Sequence, residues 1–374
     1  MTGKNIRICF LMHKAYPVFN EKILDVSGGA EINMVNLAKQ LSQTEKYKIV
    51  FFVGDYGQPL EEQFGNIIVR KYRYSDTRRY KRLYHKLLRL LVLWKELLSF
   101  DSEVYITSAA GKLLGWVVLI EKVLKRKKVI YRLASDVDAD LSYCKVKGGS
   151  LYRLFKYGLF NASVRICQTE RQKELLMSKL GLEGIVVKNG FFLNRNADIK
   201  GKRTILWISR YDTMKRPELF IELAKRLPEG DFVIVMPCDK KTTPDILIHK
   251  NFPANVKYVG FVPFSETYEY YFNAKLLVNT SEYEGFPNSF IQACIAKTPI
   301  LSFRVNPDNF IYENNLGFVC NDDLDMAVEF IKGLDEEKLL FYGNNAFDYV
   351  KENHNIETSA AAYEEVIRRM LEKK

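Results

Sequence analysis

At 374 residues the chain has the length of two domains, each able to bury its own core, and its 47% hydrophobic and 27% charged content excludes a disordered or fibrous polymer. The net charge of +11 is uneven: residues 1–200 carry 35 Lys and Arg against 19 Asp and Glu, whereas residues 201–374 carry 21 against 26. No run approaches 18 uncharged apolar residues, so no membrane-spanning helix is expected, and the six scattered cysteines (Cys9, Cys144, Cys167, Cys238, Cys294, Cys320) read as reduced, mostly buried thiols rather than a disulfide or zinc framework.

Residues 6–12 form a buried-looking strand; Ile8–Met12 is too short for a secretory signal, so a cytosolic protein is expected. The loop after it ends Ser27-Gly28-Gly29-Ala30-Glu31. Two glycines there allow close backbone approach to a ligand, or simply a tight turn, before a helix with its stripe at Met34, Leu37, Ala38 and Leu41. Strands follow at 48–53 and 66–69. Residues 70–95 then hold ten Lys or Arg against a single acid, Asp76, with Tyr72, Tyr74, Tyr80, Tyr84 and Trp94 among them. From Tyr80 the pattern turns amphipathic, through Leu83, Leu87, Leu90, Leu91, Trp94 and Leu98. A basic amphipathic helix with aromatic residues suits an anionic membrane surface, each cation near it being worth roughly 1 kcal/mol; a Leu stripe packed on a sheet is the plainer alternative. Nucleic acid is the rival partner for so basic a half. No helix-turn-helix, zinc-finger or RNA-binding signature accompanies it, so none is expected to bind.

Strands at 103–107 and 128–132 come next, with a basic cluster at Lys125–Lys128. Asp136-Val137-Asp138-Ala139-Asp140 then has the look of a metal loop. It fails as a calcium loop, because Leu141 stands where Gly is needed and Lys147 where the closing Glu belongs. Asp136 or Asp138, just past a parallel strand, could instead orient an acceptor hydroxyl. Of the four histidines only His13, past the first strand, is placed for a cleft; His85, His249 and His354 read as surface residues. Strands at 164–168 and 185–188 close the first series, and polar residues with Gly201 put a linker near Phe192–Lys202.

A second series follows: 204–208, 231–236, 256–259, 275–279, 300–303 and 317–320. Strands alternating with helical patterns in two series argue for an α/β protein of two Rossmann-like halves with parallel sheets. Arg210 and Lys215 lie just past the first strand of the second series, where ligands of such sheets bind, and they offer a planar fork and a point charge to a diphosphate. After strand 275–279 comes a turn with Glu284, Gly285, Phe286 and Pro287, then a helix with an apolar face at Phe290, Ile291, Cys294 and Ile295. Pro287 suits the first helical turn, and the exposed helix N-terminus beside a carboxylate makes an anion-receiving site. A last helix, Glu357–Glu372, has apolar positions at Ala361, Tyr363, Val366, Ile367 and Met370.

The Glu284-Gly285-Phe286-Pro287 turn and the Arg210/Lys215 pair about 70 residues before it resemble the retaining glycosyltransferases of family 4. Ser27-Gly28-Gly29, Cys167-Gln168-Thr169-Glu170 and Lys188-Asn189-Gly190 add weaker echoes, so that the resemblance runs from about residue 5 to about residue 350. The resemblance implies a GT-B fold, with two Rossmann-like domains facing across a cleft: residues 1–195 for the acceptor, 196–352 for the donor, and 353–374 as a helix crossing back to the first domain. It implies that Arg210 and Lys215 grip the donor diphosphate, that Glu284 contacts the sugar, and that Gly28 and Gly29 face the donor. Gly285, Phe286, Pro287, Asn288 and Ser289 would line the donor site, with Phe261, near Pro237 and Gly260, tuning the base. The family's second acid, eight positions after the first, falls here on Gln292, which can hydrogen-bond the ribose hydroxyls without charge.

The expected activity is therefore transfer of a sugar from a nucleoside diphosphate sugar to a glycan, lipid-linked, in cell-surface polysaccharide synthesis. Arg210, Lys215, Glu284 and Asp136 are the expected catalytic residues, with no metal and no cofactor beyond the donor. The expected location is the inner face of the membrane, held there by residues 70–95. Two alternatives stay open: a GT-B nucleotide-sugar epimerase, and a non-catalytic nucleotide-sugar-binding homologue suggested by Gln292.

Overall fold

The computed structural model describes residues 5–72, 83–124, 127–193, 201–237 and 252–372. Tyr74, Tyr80, Lys125, Cys238, His249 and most of the expected linker lie outside the described residues. The chain divides into two units, one running to Gly190 and resuming at Ile356, the other Phe191–Asn355.

The first unit is built on eight strands: β1 (Ile6–Leu11), β2 (Tyr47–Val53), β3 (Glu61–Phe64), β4 (Ile67–Lys71), β5 (Val104–Ser108), β6 (Lys128–Arg132), β7 (Val164–Cys167) and β8 (Ile185–Val186). They lie in the order β3-β4-β2-β1-β5-β6-β7-β8, all parallel except β3, which runs antiparallel to β4. β1, β2 and β5 read as near-continuous apolar runs because helices cover both faces of a parallel sheet. β3 was not expected: Glu-Glu-Gln-Phe has no apolar alternation, and the strand is an exposed edge joined to β4 through Gly65 (φ +59°) and Asn66.

Side chains alternate across this sheet, so two cores form. Ile8, Phe10, Phe51 and Ile106 face one layer with Met34 and Leu37 of the helix Gly29–Leu41. Cys9, Phe52, Tyr105 and Tyr131 face the other. The last helix, Ile356–Glu372, joins the first layer through Ala360, Tyr363, Val366, Ile367 and Met370. Ala361 is exposed, one position off the expected stripe.

The helix Leu83–Phe100 splits the leucine pattern between two faces. Leu93 and Leu97 are buried in the second layer, while Leu91, Trp94 and Leu98 are exposed. Tyr72, grouped by sequence with the basic stretch, is buried against Phe52 and the ring of His13. No helix among the described residues is long and apolar enough to cross a membrane.

The second unit carries β9 (Thr204–Ile208), β10 (Phe232–Val235), β11 (Val256–Val259), β12 (Ala274–Asn279), β13 (Ile300–Ser302) and β14 (Gly317–Val319). All are parallel, in the order β11-β10-β9-β12-β13-β14. In sequence terms this is third-second-first-fourth-fifth-sixth, the doubly wound order of Rossmann folds. The chain reverses direction across the sheet between β9 and β12, which opens a crevice at their carboxyl ends. Each unit is thus a Rossmann-like α/β domain.

Candidate active site

The loops after β9 and β12 meet at that reversal point. After Ile208 the chain passes Arg210, then makes a single 3-10 turn, Thr213–Lys215, in which Asp212 caps the N–H of Met214 at 3.3 Å. Arg216 follows in the left-handed region (φ +47°), and Pro217 opens the helix Pro217–Arg226. A non-glycine residue held at positive φ needs compensation, and Arg216 has it in quantity. Its Nε donates to the carbonyl of Thr280 at 2.7 Å, and its two Nη groups donate to Asp322 at 2.7 and 3.1 Å. Burial pushes the Asp322 carboxyl up, but the guanidinium groups of Arg216 and Arg304 outweigh it and hold the carboxyl below its ordinary range.

The loops are also stitched directly. The N–H of Glu282 donates to the Met214 carbonyl at 2.8 Å, and the Thr280 hydroxyl donates to the Lys215 carbonyl at 2.5 Å. Trp207, on β9, donates its indole N–H to the same hydroxyl at 2.8 Å. These bonds leave Lys215 and Glu284, 69 positions apart, in direct ionic contact through Nζ and Oε1. Ser281 donates its hydroxyl to the same Glu284 oxygen at 2.8 Å. Both charged side chains are mostly covered, 16% and 15% exposed, so the pair is less screened than a surface one. Arg210 is exposed beside them in sequence, with its guanidinium free of any ion pair among the described residues.

The helix after Glu284 runs Asn288–Ile295, with Pro287 as its N-cap (φ −62°, ψ 127°) rather than inside its first turn. Asn288 and Ser289 occupy its first turn, where helix geometry offers their N–H groups no intrahelical carbonyl. Gly285 and Pro287 are buried. Phe286 is buried too, its ring 4.6 Å from that of His354 and 4.9 Å from that of Phe310. It therefore fixes the turn from below. His354, read from sequence as a surface residue, is a core residue at 1% exposure.

Gln292 is 5% exposed and already engaged: its Nε2 donates to Thr267 at 3.1 Å and its Oε1 accepts from the hydroxyl of Tyr271 at 3.4 Å. Phe261 is half-buried past β11, two strands from β9 and so about 10 Å across the sheet. In the first unit Gly28 is the N-cap of its helix and Gly29 the first helical residue, exposed. Asp136 opens the single-turn helix Asp136–Ala139 and pairs with Arg171 at 3.0 Å. Asp138 does not point outward as an acceptor residue would. It is buried and accepts from the Tyr131 hydroxyl at 3.0 Å and the Ala134 N–H at 2.8 Å; burial pushes its carboxyl up to about 6.

Arg216, Thr280, Ser281 and Asp322 were missed by the sequence reading. The one local sign was Arg216 itself, a second cation directly before the helix-opening proline.

The site falls inside the segment that comparison with known proteins identifies. Residues 191–346 match the family model described as Glycosyl transferases group 1, which covers less than half of the chain. The poly(ribitol-phosphate) alpha-N-acetylglucosaminyltransferase of Staphylococcus aureus is 27% identical over 225 residues, 56% of this chain and 45% of that protein. The chain thus spans under half the length of that relative. Sucrose-phosphate synthase from Thermosynechococcus elongatus shares the fold over 99% of this chain and all of its own, with a TM-score of 0.79 at 16% identity. Anabaena HepE, solved with UDP and glucose, does so over 97% of this chain and all of its own, with a TM-score of 0.74 at 14% identity.

Proposed function

We propose that the chain is a retaining glycosyltransferase that moves a hexose-type sugar from a uridine diphosphate sugar to a glycan acceptor. The observation that carries this reading is the convergence of Lys215 and Glu284 at the reversal point of the second sheet, with Arg210 in the same loop as Lys215 and a helix starting four residues after Glu284. Arg210 and Lys215 neutralise charge that develops on the departing diphosphate, helped by N–H groups at Asn288 and Ser289. Glu284 holds the sugar hydroxyls. The bond from C1 to the phosphate oxygen breaks, its electron pair leaving with the diphosphate. The acceptor oxygen bonds C1 on the same face, and its proton passes to the leaving phosphate. Fixed cations do what a divalent ion does in other sugar transferases, so transfer proceeds in chelator.

UDP is the first base to test because the HepE structure contains it. An α-linked product, as the staphylococcal relative's name states, is what retention yields from an α-linked sugar nucleotide. Asp136, set by Arg171, orients the acceptor hydroxyl. A lipid-linked acceptor, in surface polysaccharide synthesis, would suit the exposed Leu91, Trp94 and Leu98 on a basic helix, able to lie against an anionic bilayer.

Titration of UDP, GDP and ADP in chelator, followed by thermal unfolding, tests the donor site. A nucleotide at 100 times its dissociation constant adds about 2.7 kcal/mol. The anomeric configuration of the transferred sugar, read by NMR, tests retention. Absence of stabilisation by every nucleotide, with no donor consumed, would overturn the reading.

A further inference from the structure

The connection between β6 and β7 carries a surface that the proposed reaction leaves unused. Between Asp140 and Glu170 the chain holds five Lys or Arg and no acid. Arg165 turns inward, its Nε donating to the Leu159 carbonyl at 2.6 Å and Nη2 to the Phe160 carbonyl at 2.9 Å. The other four, Lys145, Lys147, Arg153 and Lys156, are exposed. Among the described residues no ion pair neutralises Lys145, Arg153 or Lys156.

Apolar groups stand among these cations. The short helix Ser142–Lys147 ends at a sharp turn through Gly148 (φ +60°) and Gly149 (φ +58°), both left-handed. Lys145, Val146 and Lys147 before it are all exposed, and Val146, at 86%, is the most exposed large apolar side chain among the described residues. The next helix, Gly149–Asn161, is seated on the helix Lys112–Leu124, where a Cβ on Gly115 would come within 2.3 Å of the Leu154 carbonyl oxygen. Arg153, Lys156 and Phe160, spaced three and four apart, share its outward side. The Lys156 Nζ lies 5.8 Å from the Tyr152 ring centroid and 5.6 Å from that of Phe160, so one cation rests against two rings.

Leu97 of the helix Leu83–Phe100, Val118 of Lys112–Leu124 and Phe155 of Gly149–Asn161 all enter the second layer, so the three helices cover one face of the sheet. Leu91, Trp94 and Leu98, exposed on the first of them, therefore lie on the same side of the sheet as Phe160. The geometry points to residues 145–160 as a docking surface for an anionic lipid bilayer, additional to the helix Leu83–Phe100. Val146 and Phe160 enter the interface while Lys145, Lys147, Arg153 and Lys156 meet lipid phosphates. A soluble polyanion would reward the cations equally, but it has no use for an exposed valine between two lysines. The docking is independent of the proposed sugar transfer, since it requires neither donor nor acceptor.

The test is co-sedimentation of the full chain with vesicles of phosphatidylcholine, with and without phosphatidylglycerol, at low and high salt. The expected result is binding that requires phosphatidylglycerol and weakens with salt. At low salt Lys145→Ser/Lys147→Ser should lower the partition coefficient about 25-fold, at roughly fivefold per cation, and Val146→Ser/Phe160→Ser about tenfold. Both variants alter exposed side chains and should keep the melting temperature of the unaltered chain. Should Phe160→Ser lower it, Val146→Ser alone decides, with an expected loss of about threefold. Full binding by these apolar variants would overturn the proposal, whether the vesicles are then held by Leu91, Trp94 and Leu98 or by charge alone. So would binding to neither kind of vesicle, or equal binding to both.

Discussion

Glu284 is in ionic contact with Lys215, so on the proposed reading a donor would have to separate them before Lys215 could serve the diphosphate. Replacing Glu284 with Gln keeps the shape and removes the charge. A hydrogen bond between charged groups is worth about 1.5–3 kcal/mol and one between a cation and an amide nearer 1, so Lys215 is released by about 0.5–2 kcal/mol. Each 1.4 kcal/mol is tenfold in affinity, so Glu284→Gln should bind free UDP about 2–30-fold more tightly while its turnover with a UDP-sugar falls at least about a hundredfold. Calorimetric titration with UDP reads the first effect and donor consumption the second. A carboxylate merely near the diphosphate would also repel it, so the cycle with Lys215→Ala is needed. If the gain flows through the ion pair it disappears in the Lys215→Ala background. UDP affinity that is unchanged or weaker in Glu284→Gln, or a gain that survives without Lys215, would refute the argument.

Three further outcomes follow from the contacts of Lys215, Arg216 and Asp138. Lys215→Ala should lower kcat/KM by about 10²–10³, the range for losing one transition-state donor, with the melting temperature little changed. Arg216→Ala should destabilise by about 2 kcal/mol, since it orphans the Thr280 carbonyl and Asp322 in a half-covered pair, and should lower kcat more than it raises KM; Arg216→Lys should recover stability only in part, lacking the fork. Asp138 has a folded-state pKa near 6 against 3.8 unfolded, so the folded chain binds the extra proton between those values. Stability contributed by that proton is present at low pH and lost as pH rises toward 6, about 3 kcal/mol in all. Asp138→Asn should flatten this decline, visible as a smaller difference between urea unfolding at pH 5 and at pH 7.

The parallel sheets were legible because strands covered on both faces read as short unbroken apolar runs, as in Val50–Val53 and Leu276–Val278. The edge strand Glu61–Phe64 was not, since one solvated hairpin arm carries no such run. Lys215 and Glu284 were legible separately, each from its place after a strand, but their contact was not: it depends on bonds from Thr280 and Glu282 across 65 or more positions. His354 illustrates the opposite error. Flanked by Asn353 and Asn355 it reads as solvated, yet its ring packs tilted against Phe286 and so supports the turn that carries Glu284. Gln292 is the most instructive position. The resemblance to family 4 implies an acid meeting a ribose at this position, but the two polar ends of Gln292 already answer Thr267 and Tyr271 inside the unit. A buried carboxylate there would lack the donor hydrogens that Thr267 now accepts, and would need a cation or a proton. The amide thus fits a pocket wall that is neutral, and under the proposed function the binding of an anionic donor falls to Arg210, Lys215 and the helix N-terminus.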